Sequence, residues 1–478
     1  MNRRPIVHLL ALAAAACTVG PDYEAPKPAL PAAWREATGH AAGTLLGDGY
    51  WRAFGDPQLD ALVERAIAGN PDVAIARART AEARLRAAAA GSERWPQVDL
   101  DGSYDHSRLS EHGFLEGLAT GSPGGGGGGG AVFPGQEIGI YQAGVGASWE
   151  LDLFGARRRE VEASEADAEA ADAEANGVLQ ALCASVVEQY LQWAANREQL
   201  ALAQQTLQIA QRERDVLRER ATAGLADERD LARADLDTAK AEARVQQLTA
   251  EVQASEYGLE VLLGAQPGEL AATPPAMLPP PPDAFAVDVP AAVLAHRPDV
   301  RAAERRLGAA TARIGLATAD LYPRLSLTGA FGLQAQDLGD LPKYESRFWA
   351  VGPAVRWPLF DFGRVRSRID VADARTHAAL AGYEGTVHQA LADVEVALVR
   401  LARGRETTAA LQRASDAAHT QQQLVQEQYD QGVGEFVDVL DAERDAAMAD
   451  GELLRAREAL ARGFVGLGKA LGGGWPRG

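Results

Sequence analysis

The chain has 478 residues, with 47 Lys and Arg against 66 Asp and Glu, a net charge of −19 at pH 7. That length allows two or three ordinary domains. The acidic balance argues against nucleic acid as a partner, because neutralising phosphates takes a basic surface. Stretches rich in Ala, Glu, Arg and Gln point to long helices, and two cysteines, Cys17 and Cys183, make no disulfide framework.

The N-terminus places Arg3 and Arg4 before an apolar run from Ile6 to Ala16, with small residues just before Cys17. This reads as a secretory signal, too short for a membrane helix, and Cys17 reads as the acylated first residue of a mature lipoprotein. Ala14 departs from the more usual Leu three positions before the cysteine, and a plain signal peptide with an incidental cysteine is the alternative. Thr18 rather than Asp follows, which favours sorting to the outer membrane.

A helical segment is expected over 58–91. After Pro96, "QVDLDGSY" alternates Val98, Leu100, Gly102 and Tyr104 with Asp99, Asp101 and Ser103. Seven glycines, Gly124 to Gly130, read as a flexible loop. "IYQAGVGASWEL" then alternates Tyr141, Ala143, Val145, Ala147, Trp149 and Leu151 with Gln142, Gly144, Gly146 and Ser148. From Ala156 to about Thr222 there is no Pro and one Gly, which predicts a helix of roughly 100 Å at 1.5 Å per residue. A turn at Ala223-Gly224 sends a second helix back to Gly264. "ATPPAMLPPPPDAF" at 272–285 cannot be helical.

The same grammar then repeats. "WELDLFG" (149–155) and "WPLFDFG" (357–363) align Trp149, Leu151, Phe154 and Gly155 with Trp357, Leu359, Phe362 and Gly363, 208 residues on. Gly224 answers Gly432 at that spacing. Upstream the offset is 227: Asn70-Pro71-Asp72-Val73 answers Arg297-Pro298-Asp299-Val300, and Pro96, Leu100 and Gly102 answer Pro323, Leu327 and Gly329. The 19-residue difference falls around the glycine run. A helix over 291–320, strands in "RLSLTGAFGL" and "FWAVGPAVRWPL", and a hairpin from Arg364 to Gln431 and back to Leu471 complete the second copy. The expected division is therefore 1–16 signal peptide, 17–57 lipidated extended segment, 58–271 first repeat, 272–290 Pro-rich linker and 291–478 second repeat.

Strands of about nine to eleven residues with aromatics near their ends suit transmembrane β-strands. Four cannot close a barrel, and an open sheet edge in lipid leaves backbone groups unpaired. Several chains must pool their strands, eight from a dimer or twelve from a trimer.

Four motifs carry a resemblance: "CTVGPDY" at 17–23, "YWRAFGDPQLDALVERAIAGNPDV" at 50–73, "HRPDVRAAERRLGAATARIGLATADLYPRLSLTG" at 296–329 and "YDQGVGEFVDVLDAERD" at 429–445. Together with the repeat they cover nearly the whole mature chain, and they resemble the outer membrane factor, or TolC-like, family in its NodT-type lipoprotein branch that serves tripartite efflux pumps. The resemblance implies an α+β membrane protein, mostly α, whose long hairpins form an α-barrel and whose four strands join a shared trimeric 12-strand β-barrel. It implies a homotrimer in outer-membrane lipid that meets a periplasmic adaptor and an inner-membrane pump. It marks Trp149, Phe154, Gly155, Trp357, Phe362 and Gly363 as the passages from strand into helix. It places a periplasmic gate at Asp438 and Asp441, with Tyr429 and Asp230 holding neighbouring hairpins; the two aspartates share a helix face at i and i+3, so a ring of them would favour cations. Gly434 departs from the arginine that ties this gate in some members, and Arg229, Arg233 and Arg444 are the candidates to replace it.

The sequence shows no HExxH or HxxxH pair, no GxSxG and no phosphate loop, so no enzyme, metal or cofactor site is expected. A protein-secretion outlet of type I and a non-conducting structural lipoprotein are the rival functions. The amphipathic strands argue against the second. Three methionines argue against a thioether-lined copper path, and the sequence leaves the cargo and the class of pump open.

Overall fold

The computed structural model describes residues 18–35, 49–108, 110, 137–270, 274–275, 277–282 and 287–474. The signal segment, Cys17 and the glycine run lie outside them. Helices α1 (Pro57–Gly69) and α2 (Pro71–Ser92) lead into β1 (Gln97–Arg108) and β2 (Glu137–Leu151), then α3 (Ala156–Thr222) and α4 (Glu228–Leu263). The second copy repeats the order with α5 (Pro290–His296), α6 (Pro298–Ala319), β3 (Arg324–Ala335), β4 (Arg347–Arg356), α7 (Arg364–Asp430) and α8 (Phe436–Ala470). None of the described helices is long and apolar enough to cross a membrane.

Two expectations change. The single helix over 58–91 is two helices, because Asn70 adopts an extended backbone before Pro71. Its side chain then caps α2 by accepting from the N–H groups of Asp72 at 2.8 Å and Val73 at 3.4 Å. The break recurs at Arg297-Pro298. The strands run 12, 15, 12 and 10 residues, longer than expected in three cases, because pairing continues beyond the alternating segments.

Asn70 and Arg297 also do matching work. Asn70 Nδ2 donates to the Leu262 carbonyl at 2.9 Å, and Arg297 Nη1 donates to that of Ala470, the equivalent residue 208 on, at 2.9 Å. The start of each repeat is thereby tied to the last turn of its return helix. Arg297 is buried, with Asp299 at 2.7 Å and Asp393 at 3.0 Å as counter-charges.

The chain divides into two compact units, each drawing on both repeats. One takes Ala83–Ala168, Leu307–Ala378 and the described N-terminal residues to Glu24. Its centre is one antiparallel meander in the order β1-β2-β3-β4. Direct pairings such as Asp101↔Gly144, Ser148↔Thr328 and Thr328↔Gly352 give one polar, small-residue face. Leu100↔Val145↔Phe331↔Trp349 line the other face. Val98, Leu100, Phe331, Trp349, Val351 and Val355 are exposed there, an apolar surface with no cover among the described residues. Among the described residues β1 and β4 are unpaired on their outer edges.

The other unit takes Ala25–Glu82, Glu169–Arg306 and Ala379–Gly478. Its core packs Trp51, Phe54, Leu59, Tyr190, Trp193 and Phe464. Phe464 meets Phe54 edge-on at 5.3 Å. Tyr190 donates to Asp56 Oδ2 at 2.6 Å, while Asp56 Oδ1 caps α1 through Gln58 N at 2.9 Å. Cys183 lies in this core, and burial pushes its thiol up to about 12.

Candidate functional site: two junctions and two hairpin turns

The sequence singles out two kinds of position. In the sheet unit, each repeated phrase makes the passage from strand to helix. The chain must reverse its path in a few residues, and Gly155 (φ +82°) and Gly363 (φ +86°) supply the left-handed backbone. Trp149 Nε1 donates to the Arg94 carbonyl at 2.9 Å. Trp357 Nε1 donates to the Leu321 carbonyl, the repeat equivalent of Arg94, at 3.1 Å. Each indole thus pins the end of its repeat's second strand to the start of the first.

Aspartates missed in the sequence cap both long helices. Asp152 accepts from Arg157 N at 3.1 Å and Arg158 N at 3.0 Å. Asp361 accepts from Gly363 N at 3.1 Å and Val365 N at 2.9 Å, and the Val365 bond holds its carboxyl below the usual value. "DLFG" against "FDFG" shifts the carboxylate by one position, which hid the shared role.

The junctions differ in cover. At the first, Arg159 is buried and donates to Val19 O at 3.2 Å, Gly20 O at 3.3 Å, Asp22 at 2.7 Å and Glu162 at 2.8 Å. Val19 N donates to Phe154 O at 3.2 Å, and Thr18 lies so close to Gly155 that a Cβ there would meet it at 2.8 Å. The residues that follow Cys17 are therefore pinned on this junction. Phe154 also stacks on Tyr322, ring centroids 4.6 Å apart. At the second junction Ser367 stands in place of Arg159. Phe360 and Phe362 are 90% and 104% exposed, and Phe362 holds a left-handed backbone (φ +54°) that non-glycine residues seldom adopt.

In the other unit, the two hairpin turns share one backbone design. Gly224 (φ +72°) and Gly432 (φ +74°) follow α3 and α7. Gly224 N donates to Ala221 O and Leu225 N to Arg220 O at 2.8 Å; Gly432 N donates to Tyr429 O and Val433 N to Gln428 O at 3.0 Å. Both are Schellman motifs. Their charges differ. In the first, Asp227 caps α4 by accepting from Asp230 N at 2.8 Å, a bond that keeps its carboxyl below the usual value. Arg229 lies 3.6 Å from Asp227 and 3.9 Å from Asp230.

In the second turn, Asp438 accepts from Glu435 N at 3.3 Å. Asp441 receives Arg444 Nη1 at 3.3 Å, and Arg444 also reaches Glu213 on α3. Arg220 meets Glu435 at 3.1 Å, and Arg212 pairs with Glu443. Of the three arginines considered for the place of Gly434, Arg444 is the one set on Asp441; Arg233 makes no ion pair among the described residues. Tyr429 packs on Phe436 across its own turn at 5.3 Å. Glu213 was invisible to sequence reasoning, since 231 residues separate it from Arg444. No group of three or more metal-ligating side chains occurs among the described residues.

Comparison with known proteins places this architecture. Residues 62–265 and 289–473 match the family described as outer membrane efflux protein, and the gap between the two stretches contains the Pro-rich stretch at 272–285. The solvent efflux pump outer membrane protein SrpC of Pseudomonas putida is 30% identical over 475 residues, covering 96% of each chain. Among solved structures, the outer-membrane channel OprN is 34% identical with a TM-score of 0.85, over 96% of this chain and all of that one. The MtrE outer membrane channel of Neisseria gonorrhoeae, in its open state, is 28% identical with a TM-score of 0.80, over 96% and 98%. The chain belongs to the outer membrane efflux protein family and is an outer-membrane channel component of a Gram-negative efflux system.

Proposed function

We propose that three copies pool their strands into a twelve-stranded β-barrel in the outer membrane, and that the helices continue this pore as an α-barrel into the periplasm. One observation carries the reading: a four-stranded sheet that, among the described residues, has one uncovered apolar face and two unpaired edges, which lipid tolerates only in a closed barrel. Eight strands would leave an interior filled by side chains, and twelve is the next count that four per chain can reach.

In this reading residues 1–16 are removed, Cys17 carries lipid at the head of an extended segment to residue 57, and 58–271 and 291–478 are duplicated halves joined by 272–290. Small molecules pass from an inner-membrane pump and a periplasmic adaptor, and the adaptor meets the hairpin turns. Asp438 and Asp441, with Tyr429 and Asp230 beside them, form the gate. Arg444 supplies the tie that Gly434 cannot, since it joins Asp441 to the neighbouring helix of its own chain.

The test is solution mass and single-channel conductance of the detergent-purified mature protein. Three chains per particle and small cation-preferring pores are expected. Asp438→Ala with Asp441→Ala should then reduce cation preference and widen the pore. A monomer that never conducts would overturn the barrel, and unchanged selectivity in the double variant would overturn the gate.

A further inference from the structure

Between the end of α6 and the start of α7 lies a recess of about 320 Å3, lined by Arg324, Arg356, Arg364 and Arg368 with Asp320 as its one acidic side chain. Tyr322 and Trp357 also line it. Its volume falls at the small end of the range for ligand pockets, about 300–1,000 Å3. Asp320 is shared by Arg324 at 2.5 Å and Arg368 at 3.4 Å, and Glu150 lies 3.9 Å from Arg324. Arg356 and Arg364 are exposed and make no ion pair among the described residues. Arg356 lies directly opposite Arg324 on the ladder, an arrangement of like charges that repels. Asp361, the acidic residue nearest to Arg364 in sequence, already accepts from Gly363 N and Val365 N.

A strand-to-helix passage does not require these charges. At the offsets of 227 and 208 the first junction carries Gln97, Ser148, Ala156 and Glu160 in their place, with no cation among them. The cation there is Arg157, met by Glu93, by Glu150 at 3.1 Å and by Glu160 at 2.8 Å. One arginine thus faces three carboxylates in the first copy, whereas four gather around Asp320 in the second. The aromatic surroundings diverge in the same sense. Phe360, 90% exposed, stands where the first copy has Asp152, and Trp357 is 53% exposed. Excess positive charge and bare rings occur together at the second junction.

We infer that this recess binds the phosphate of an anionic phospholipid, with Arg356 and Arg364 donating to it and Trp357 and Phe360 set against its glycerol and acyl chains. The inference rests on the pooled barrel proposed above, which sets the strand ends at headgroup depth on the helix side of the membrane. Guanidinium forks match phosphate oxygens in pairs, and basic recesses beside membrane spans take acidic headgroups. Exposed indoles settle at the same interface. An anion there also relieves the repulsion between Arg356 and Arg324. Arg356 stems from the polar face of the sheet and Trp357 from the apolar one, yet both line the recess at the strand end. One amphiphile can therefore meet both, whereas a free phosphate would use the arginines and leave the rings bare.

The test is lipid retention by the detergent-purified mature protein, read by native mass spectrometry. Mixed micelles supply dioleoylphosphatidylglycerol or the zwitterionic dioleoylphosphatidylethanolamine, and inorganic phosphate serves as the soluble competitor. A three-chain particle should retain one phosphatidylglycerol per chain and far less phosphatidylethanolamine, and inorganic phosphate at equal concentration should not displace the lipid. Arg356→Gln with Arg364→Gln should weaken phosphatidylglycerol binding about tenfold. Arg366→Gln, exposed on the same helix but outside the recess, should leave it unchanged. An equal loss in Arg366→Gln would reduce the effect to general charge attraction and overturn the site. Displacement by inorganic phosphate would overturn the lipid and make a free anion the occupant. A three-chain particle that retains no phosphatidylglycerol would overturn the inference, and if its double variant also fell apart, the arginines would belong to the contact between copies. A particle that weighs one chain would remove the barrel reading and this inference with it.

Discussion

The two strand–helix junctions are built from one phrase and differ in what covers them. Both hold an indole-to-carbonyl hydrogen bond, a left-handed glycine and a capping aspartate. Only the first has Arg159, the pinned residues Thr18 to Asp22 and a stacked phenylalanine. The shared parts are those that local folding requires of any strand that must turn into a helix. The diverged parts record neighbourhood: the first junction is flanked by its own chain, and the other faces outward at the edge of the sheet.

Substitutions can break or sharpen this contrast. The largest effect is expected at Arg159, whose removal strips the Val19 and Gly20 carbonyls of a buried charged donor. Arg159→Ala should cost about 3 kcal/mol and expose the segment after Cys17 to protease. Ser367→Ala, at the equivalent exposed position, should cost less than about 0.5 kcal/mol. Equal losses in chemical denaturation would erase the distinction between the junctions. Next come Trp149→Phe and Trp357→Phe. Each gives up one N–H···O bond and part of a ring that is already 36% exposed in Trp149 and 53% in Trp357, so each should lose about 1 kcal/mol. If only one mattered, the two indoles would not be doing the same job.

The smallest effect concerns acid. Because the Val365 N–H depresses its pKa, Asp361 stabilises the fold above the ordinary carboxylate value and loses that contribution as pH falls through its lowered one. Wild type should therefore lose thermal stability below about pH 4 more steeply than Asp361→Asn. Parallel curves for the two proteins would show that the carboxylate does not matter at this cap.

The hairpins were largely legible in the sequence, because their signals are local. Ala156 to Thr222 lacks proline, Gly224 and Gly432 close their helices, and α3 and α7 end within a residue of the expected places. The strands were legible from alternation, as at Val98, Leu100 and Tyr104. The breaks at Asn70-Pro71 and Arg297-Pro298 carried a signal, a cap residue followed by proline, that the helical periodicity on both sides masked. The candidate site was legible in its residue types and not in its contacts. Nothing near Asp441 in sequence announces Glu213, and nothing near Arg159 announces Gly20, because contacts between residues so far apart in the chain depend on how the elements pack. The aspartate caps escaped for a smaller reason, a shift of one position between the copies.

Helices α3 and α7 are each 67 residues long, and this equality ties the history of the two halves together. One residue inserted into α3 alone would carry its turn about 1.5 Å onward and rotate it about 100°. Arg212, Glu213 and Arg220 would then face away from Glu443, Arg444 and Glu435. A length change in one half can persist only if the other half acquires its match, so the two helices must have been lengthened or shortened as a pair, while the connection between β1 and β2 was free to gain its 19 residues alone.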